Sequence, residues 1–402
     1  MSTKPINIPF SRWPLYDEEQ IAAAADVLRS GRVNYWTGPH GREFEDALAE
    51  RMQTKHAIAV ANGTVAIELA LLALGIGPGD DVVVPCRTFI ATASAIVARG
   101  ARPVLADVEL DSQNISADSV QAVLTPHTKA VIAVHLAGRP CEMGPLLDLA
   151  RAHNLHVVED CAQAIGATYR GYPVGSLGDV GCYSFCTDKI ISTGGEGGAL
   201  VTNSDKIWNR AWSYKDHGKC PELIAAPADK PGFRWLHTTF GTNWRLTGMQ
   251  AALGLAQLSK LDVALAARKS NAIRIDRCCR ACPGLRTLTA PTEGEQAYYR
   301  YYAFVRTERL ADGWTRDRIL QAIEALGVPC FSGSCGEIYL ERAFESIRPV
   351  DRLPMAKQLA ETSLAWLVDP TLTEAQIERT CDAIQAVMKQ ATRLGVEDSI
   401  AA

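Results

Sequence analysis

Residues 56–106 read HAIAVANGTVAIELALLALGIGPGDDVVVPCRTFIATASAIVARGARPVLA. The runs at 56–61, 81–85 and 102–106 are short, apolar and bounded by Gly, Pro or Asn, the pattern of strands. Segments 64–74 and 88–99 lie between them, long enough for helices and free of internal Gly or Pro. The runs are apolar at nearly every position rather than at alternate ones, so both faces of their sheet are expected to be covered. A strand–helix–strand–helix–strand order of this kind specifies a mostly parallel sheet between layers of helices.

The alternation continues downstream. Strands are expected at 130–135, 156–159, 180–185 and 199–202, with a helix at 142–153. The later strands are more closely spaced, so an antiparallel member or hairpin is expected among them, with Arg170-Gly171 as one turn. Upstream, Asp17 with Gln20 reads as a capping box, Gly31 as the helix stop, and 41–53 as a second helix after the turn at Trp36-Thr-Gly-Pro. A long helical stretch at 247–278 ends the α/β pattern. Beyond it come a Tyr-rich strand at 298–305, a helix at 315–326 and a closing helix from Thr373, with Gln376 completing its capping box. These readings divide the chain near residue 258, within the long helix. Residues 1–258 form a large α/β domain, and 259–402 a smaller C-terminal α+β domain.

Composition narrows the class. The 402 residues carry a net charge of −4 with both signs interspersed, which excludes a nucleic-acid-wrapping or polybasic membrane surface. The most apolar stretch, 57–74, is broken by Asn62, Gly63, Thr64 and Glu68, so no membrane span is expected. Residues 1–9 lack the apolar core of a secretory signal, and the expectation is a cytoplasmic protein. Twelve cysteines fit a reduced chain in which Cys161, Cys182 and Cys186 pack in apolar runs. The Cys279–Cys282 pair lacks the second pair or the histidine that a zinc site needs.

Ligands of an open α/β sheet bind beyond the carboxyl ends of its strands. Four such junctions are unusual. Asn62-Gly63-Thr64 opens a helix directly after a strand, suited to a phosphate, although an ordinary turn uses the same residues. Phe89, after the Val82–Pro85 run, offers an aromatic face to a planar ring, or packs in the core. Glu159-Asp160 ends a strand with a carboxylate that needs a partner such as a protonated ring nitrogen, or that caps a helix. Ser184-Phe-Cys-Thr-Asp-Lys189 precedes a glycine cluster, and a lysine turned inward there would be a partly buried, nucleophilic amine, although an ordinary lysine is a solvated surface residue. Gly75-Ile-Gly-Pro-Gly follows a helix and is no dinucleotide loop; a Walker lysine and a His-Glu-x-x-His helix are both missing. His135 reads as a satisfied core residue.

At these residues the chain resembles the DegT/DnrJ/EryC1/StrS family of sugar aminotransferases, a branch of the fold type I pyridoxal-phosphate enzymes. The resemblance runs from about Trp36 to Asp382. It rests on Ala61-Asn-Gly-Thr64, Thr88-Phe-Ile-Ala-Thr-Ala93, Val158-Glu-Asp-Cys-Ala-Gln163, Ser184-Phe-x-x-x-Lys189 with Gly195-Glu-Gly-Gly198, and Phe240-Gly-Thr-Asn-Trp-Arg245 with Gln250-Ala-Ala252. Departures at Cys161, Cys186 and Trp244 are mild.

The resemblance implies pyridoxal 5'-phosphate on Lys189 as a Schiff base, with pyridoxamine 5'-phosphate as its alternate form. It implies Asp160 at the pyridinium nitrogen, Gln163 near the ring hydroxyl and Phe89 stacked on the ring. Asn62, Gly63, Thr64 and Ser184 would surround the phosphate, and Asn243 would reach the cofactor of a neighbouring subunit, which makes a homodimer the active unit. Glutamate is the implied donor and a keto-deoxy sugar on a nucleoside diphosphate the implied acceptor. Alternatives are a cyclic ketone acceptor, a dehydratase, in whose relatives a histidine replaces the lysine retained here, and a cofactor-binding regulator without turnover. Segments 298–302 and 327–340 are candidates for the acceptor pocket, and Lys215 and Arg245 for a diphosphate, unless they are simply solvated.

Overall fold

The computed structural model describes residues 10–227 and 231–393, so the opening residues 1–9 lie outside the described residues. Strands β1 His56–Val60, β2 Asp81–Pro85, β3 Arg102–Ala106, β4 Thr128–Val134 and β5 His156–Asp160 alternate with helices. After the small hairpin β6 Thr168–Tyr169 and β7 Tyr172–Pro173 come β8 Val180–Ser184 and β9 Gly198–Thr202. The helices of this region are α1 Glu18–Ser30, α2 His40–Arg51, α3 Gly63–Leu74, α4 Ala91–Ala98, α5 Ala117–Gln121, α6 Met143–His153 and α7 Asp205–Lys215.

The main sheet has seven strands in the order β1-β9-β8-β5-β4-β2-β3. Strands β8, β5, β4, β2 and β3 pair in parallel, and β9 pairs antiparallel with β8 and β1. The expected antiparallel member is therefore β9. Arg170 and Gly171, at φ 50° and 83°, form the turn between β6 and β7. Because successive side chains point to opposite faces, Val82 and Val84 join one apolar cluster with Ile58, Val60 and Ile132. Val83 joins the other, with Ala57, Ala59, Val131 and Ala133. Doubly covered strands explain the continuous apolar runs.

The long helical stretch is two helices. After α8 Pro221–Ala225, helix α9 Gly248–Ser259 ends at Lys260, and α10 Leu261–Arg280 follows. Past it, β10 Leu285–Thr287, β12 Tyr301–Val305 and β13 Ser363–Trp366 form an antiparallel three-stranded sheet. The remaining elements are β11 Gly294–Glu295, which pairs with β6, and α11 Arg316–Ala325, α12 Pro354–Thr362 and α13 Glu374–Ala391. Alternation along β12 divides its contacts. Tyr301, Ala303 and Val305 pack among α10, α11 and α13, while Tyr302 and Phe304 join the cluster that lies on one face of the main sheet. The small sheet is thereby held beside the carboxyl edge of the large one. All twelve cysteines are unpaired in the structure. Among the described residues no helix is long and apolar enough to cross a membrane.

Candidate active site

Asn62 leaves β1 and caps α3, its Oδ1 accepting the Val65 amide at 3.0 Å. The amides of Gly63 and Thr64, at the first positions of the helix, have no intrahelical partner and stand at the positive end of its dipole. Ser184 ends β8 against this turn. A Cβ on Gly63 would lie 2.7 Å from Ser184 Cβ, so only glycine lets the two strand ends approach this closely. The result is a cradle of two amides and a hydroxyl, suited to a phosphate.

Asp160 ends β5 with its side chain buried. Its Oδ2 accepts the Thr92 hydroxyl at 2.9 Å and its Oδ1 the Ala162 amide at 3.1 Å. Burial pushes its carboxyl above the ordinary carboxylate range; these two hydrogen bonds and the charge of Lys189 oppose that shift. A carboxylate so placed is stabilised by a protonated ring nitrogen. Gln163, one turn on, accepts the Ala137 amide through Oε1 at 2.8 Å, which leaves its NH₂ as the free donor.

Lys189 lies in the crossing from β8 to β9. Backbone bonds from Phe185 to Gly197 and from Thr187 to Gly195 fold this segment on itself, and Gly194 and Gly195 take the positive φ angles of the bend. The Trp13 indole donates to the Lys189 carbonyl at 2.8 Å. The lysine side chain is 17% exposed, with Nζ 4.0 Å from Asp188 Oδ1 and 4.9 Å from the centroid of the Tyr299 ring. The expected inward placement is therefore observed.

Asn62, Gly63, Thr64, Phe89, Asp160, Gln163, Ser184 and Lys189 all line one cavity of about 900 Å³. Phe89 stands in a loop, since α4 begins at Ala91 and not at residue 88, and it is 62% exposed. Asn243 is the exception: it is exposed outside this cavity, paired through its backbone with Asp216. Thr92, Glu196 and Asp188 also line the cavity and were not singled out from the sequence. Thr92 lay in view inside the Thr88–Ala93 motif, one helical turn past Thr88. The two C-terminal segments contribute Tyr299, Arg300, Tyr302, Phe331, Gly333, Ser334 and Cys335.

Two expectations need correction. Lys215 is fully buried, 3.3 Å from Glu45 Oε1 and against the Tyr35 ring, and Arg245 donates to Asp216 Oδ1 at 2.8 Å. Both cations are used inside the protein, because α7 ends at a buried acidic cluster. His135, Glu159 and Cys161 converge in the core. There Glu159 already accepts from His135 and from the amides of Gly175, Leu177 and Gly178, as a satisfied structural group does.

Residues 14–385 match the DegT/DnrJ/EryC1/StrS aminotransferase family. The GDP-perosamine synthase of Caulobacter vibrioides is 38% identical over 389 residues, covering 92% of this chain and 99% of that protein. The dTDP-3-amino-3,4,6-trideoxy-alpha-D-glucose transaminase of Streptomyces venezuelae is 34% identical over 368 residues, 91% of each chain. The X-ray structure of an aminotransferase from Psychrobacter cryohalolentis superposes with a TM-score of 0.93 at 49% identity, covering 95% of this chain and 99% of that one. The fold is that of the type I pyridoxal-phosphate enzymes. The chain belongs to the DegT/DnrJ/EryC1/StrS aminotransferase family.

Proposed function

We propose that this chain transfers an amino group from an amino acid, with glutamate as the donor, to a keto-deoxy sugar carried on a nucleoside diphosphate. As a member of its family the chain is a pyridoxal-phosphate-dependent aminotransferase. The sugar acceptor is inferred from the GDP- and dTDP-linked products named for its relatives.

The observation that carries the reading is the meeting of Lys189, Asp160 and the Gly63–Ser184 cradle in one cavity. The residues fit the cofactor. The cradle has unpaired helix amides for a phosphate, and Asp160 is a buried carboxylate in need of a cation. Lys189 would hold the cofactor through Nζ, Asp160 would hold its ring nitrogen protonated, and Phe89 and Gln163 would border the ring. When bound, the cofactor supplies an electron sink for the charge left when a proton leaves the donor's α-carbon.

The protein's own part is positioning and proton transfer. Lys189 Nζ serves as the base that takes the α-proton and as the acid that returns it. The Trp13 hydrogen bond to the Lys189 backbone fixes the segment from which that amine acts. The apolar faces of Phe89, Tyr299 and Tyr302 shield the reacting atoms from water. Asn243, exposed beyond its own cavity, is proposed to serve the cavity of a second chain, so the working unit is a homodimer.

The reading is tested by loading the enzyme with pyridoxamine phosphate and offering it keto sugars on nucleoside diphosphates and, separately, free cyclitol ketones. Consumption of a nucleotide-linked keto sugar is expected. Turnover confined to cyclitol ketones would move the acceptor to the other class, and turnover of neither would leave only cofactor binding.

A further inference from the structure

Lys189 and Arg300 are the cations among the described residues lining the cavity. Arg300 directly precedes β12, and its side chain is 20% exposed. Its guanidinium carbon stands 5.4 Å from the centroid of the Tyr299 ring and 4.7 Å from that of Phe331. Nη2 is 3.7 Å from Asp188 Oδ2, beyond hydrogen-bond range. Nη1 is buried and has no hydrogen-bond partner among the described residues. Asp188 is otherwise engaged: it accepts the Tyr299 hydroxyl and lies 4.0 Å from Lys189 Nζ.

A guanidinium fork left without a full partner at a cavity wall is costly, and its planar pair of donors matches the two oxygens of a carboxylate. Its position says which carboxylate. Lys189 Nζ and the Arg300 guanidinium border the same Tyr299 ring, with Asp188 between them. An amino acid carries its α-carboxylate on the very carbon that reacts. In a nucleotide sugar, the sugar ring stands between the reacting carbon and the diphosphate. We propose that Arg300 binds the α-carboxylate of the amino donor beside the Lys189 amine. Asp188, 3.7 Å from the guanidinium, helps offset its charge while the cavity is empty. The inference rests on the amino-acid donor proposed above.

The test uses the cofactor-loaded enzyme and its Arg300→Gln and Arg300→Lys variants. Each is checked by circular dichroism for the wild-type fold. One readout is binding of α-methylglutamate, which carries the donor's carboxylates but no removable α-proton. The others are the separate half-reactions with glutamate and with the keto sugar. Arg300→Gln is expected to weaken α-methylglutamate binding and raise the KM for glutamate by about 10- to 100-fold, the loss of a charge-assisted pair. The acceptor half-reaction should change at least about tenfold less, and Arg300→Lys should recover part of the donor affinity. Unchanged α-methylglutamate binding in Arg300→Gln, or a loss as large in the acceptor half-reaction, would overturn the assignment of Arg300 alone. A wild-type enzyme that reacts with no amino acid would instead overturn the donor reading on which it rests.

Discussion

Asp160 ends β5 with its carboxylate buried against Thr92 and Ala162, and burial holds its carboxyl above the ordinary range. A carboxyl raised in the folded state contributes stability at low pH and loses it as pH rises through the folded value. In the cofactor-free protein at neutral pH the carboxyl group is therefore a cost, which Thr92, Ala162 and Lys189 offset only in part. Asp160→Asn keeps the shape and can accept from Ala162, so it is expected to raise the Tm of the cofactor-free protein at pH 7. The gain should vanish in acid, while turnover of the loaded enzyme falls by about 10²- to 10³-fold, the usual effect of removing a charge aligned with the reacting group. Thermal scans at two pH values and steady-state rates check both parts. At this scale much of the site was legible in the sequence, because Asp160, Ser184 and Lys189 all follow apolar strands whose ends meet at one sheet edge. Arg300 was not singled out. It sits far along the chain in an aromatic run, and only the packing of β12 brings it to Lys189.

Helices were legible where their caps were. Asp17 with Gln20 and Thr373 with Gln376 form the capping boxes expected, and Gly31 takes the left-handed stop of α1 at φ 68°. Thr373→Ala is expected to destabilise α13 and the protein by about 1 kcal/mol, read as a lower urea midpoint at unchanged slope. Boundaries set by tertiary contacts were not legible. Helix α4 starts at Ala91 because Thr88 and Phe89 are drawn into the cavity wall, a demand that an unbroken apolar pattern does not show. The stretch read as one helix is broken at Lys260 without Gly or Pro; there the backbone turns to φ −102° and ψ 0°, and the ammonium reaches Asp17 and Glu19 of the N-terminal segment. Helix α7 was overlooked although Ser204 caps it: its apolar core-facing residues are only Ile207, Ala211 and Trp212, and the charged Lys215 that is buried with them ends the helix.

For the whole molecule we propose a division near residue 258, supported by the break at Lys260 and by the separate apolar cluster around α10, α11 and α13. Because Tyr302 and Phe304 also join the cluster on the main sheet, the cavity wall is built from both sides of that division. Subunit sharing is proposed on the exposure of Asn243, and it predicts complementation in trans. A Lys189→Ala chain and an Asn243→Ala chain, each nearly inactive alone, should regain about a quarter of wild-type activity when refolded together, since half the dimers are mixed and each has one intact site. A mixture no more active than its parts would place Asn243 in its own chain's chemistry or in none. The central claim concerns the amine of Lys189, and reduction with borohydride in the presence of pyridoxal phosphate, followed by peptide mass mapping, tests it most directly. The pyridoxyl mass should appear on the peptide containing Lys189; its appearance on another lysine, or on none, would contradict the account.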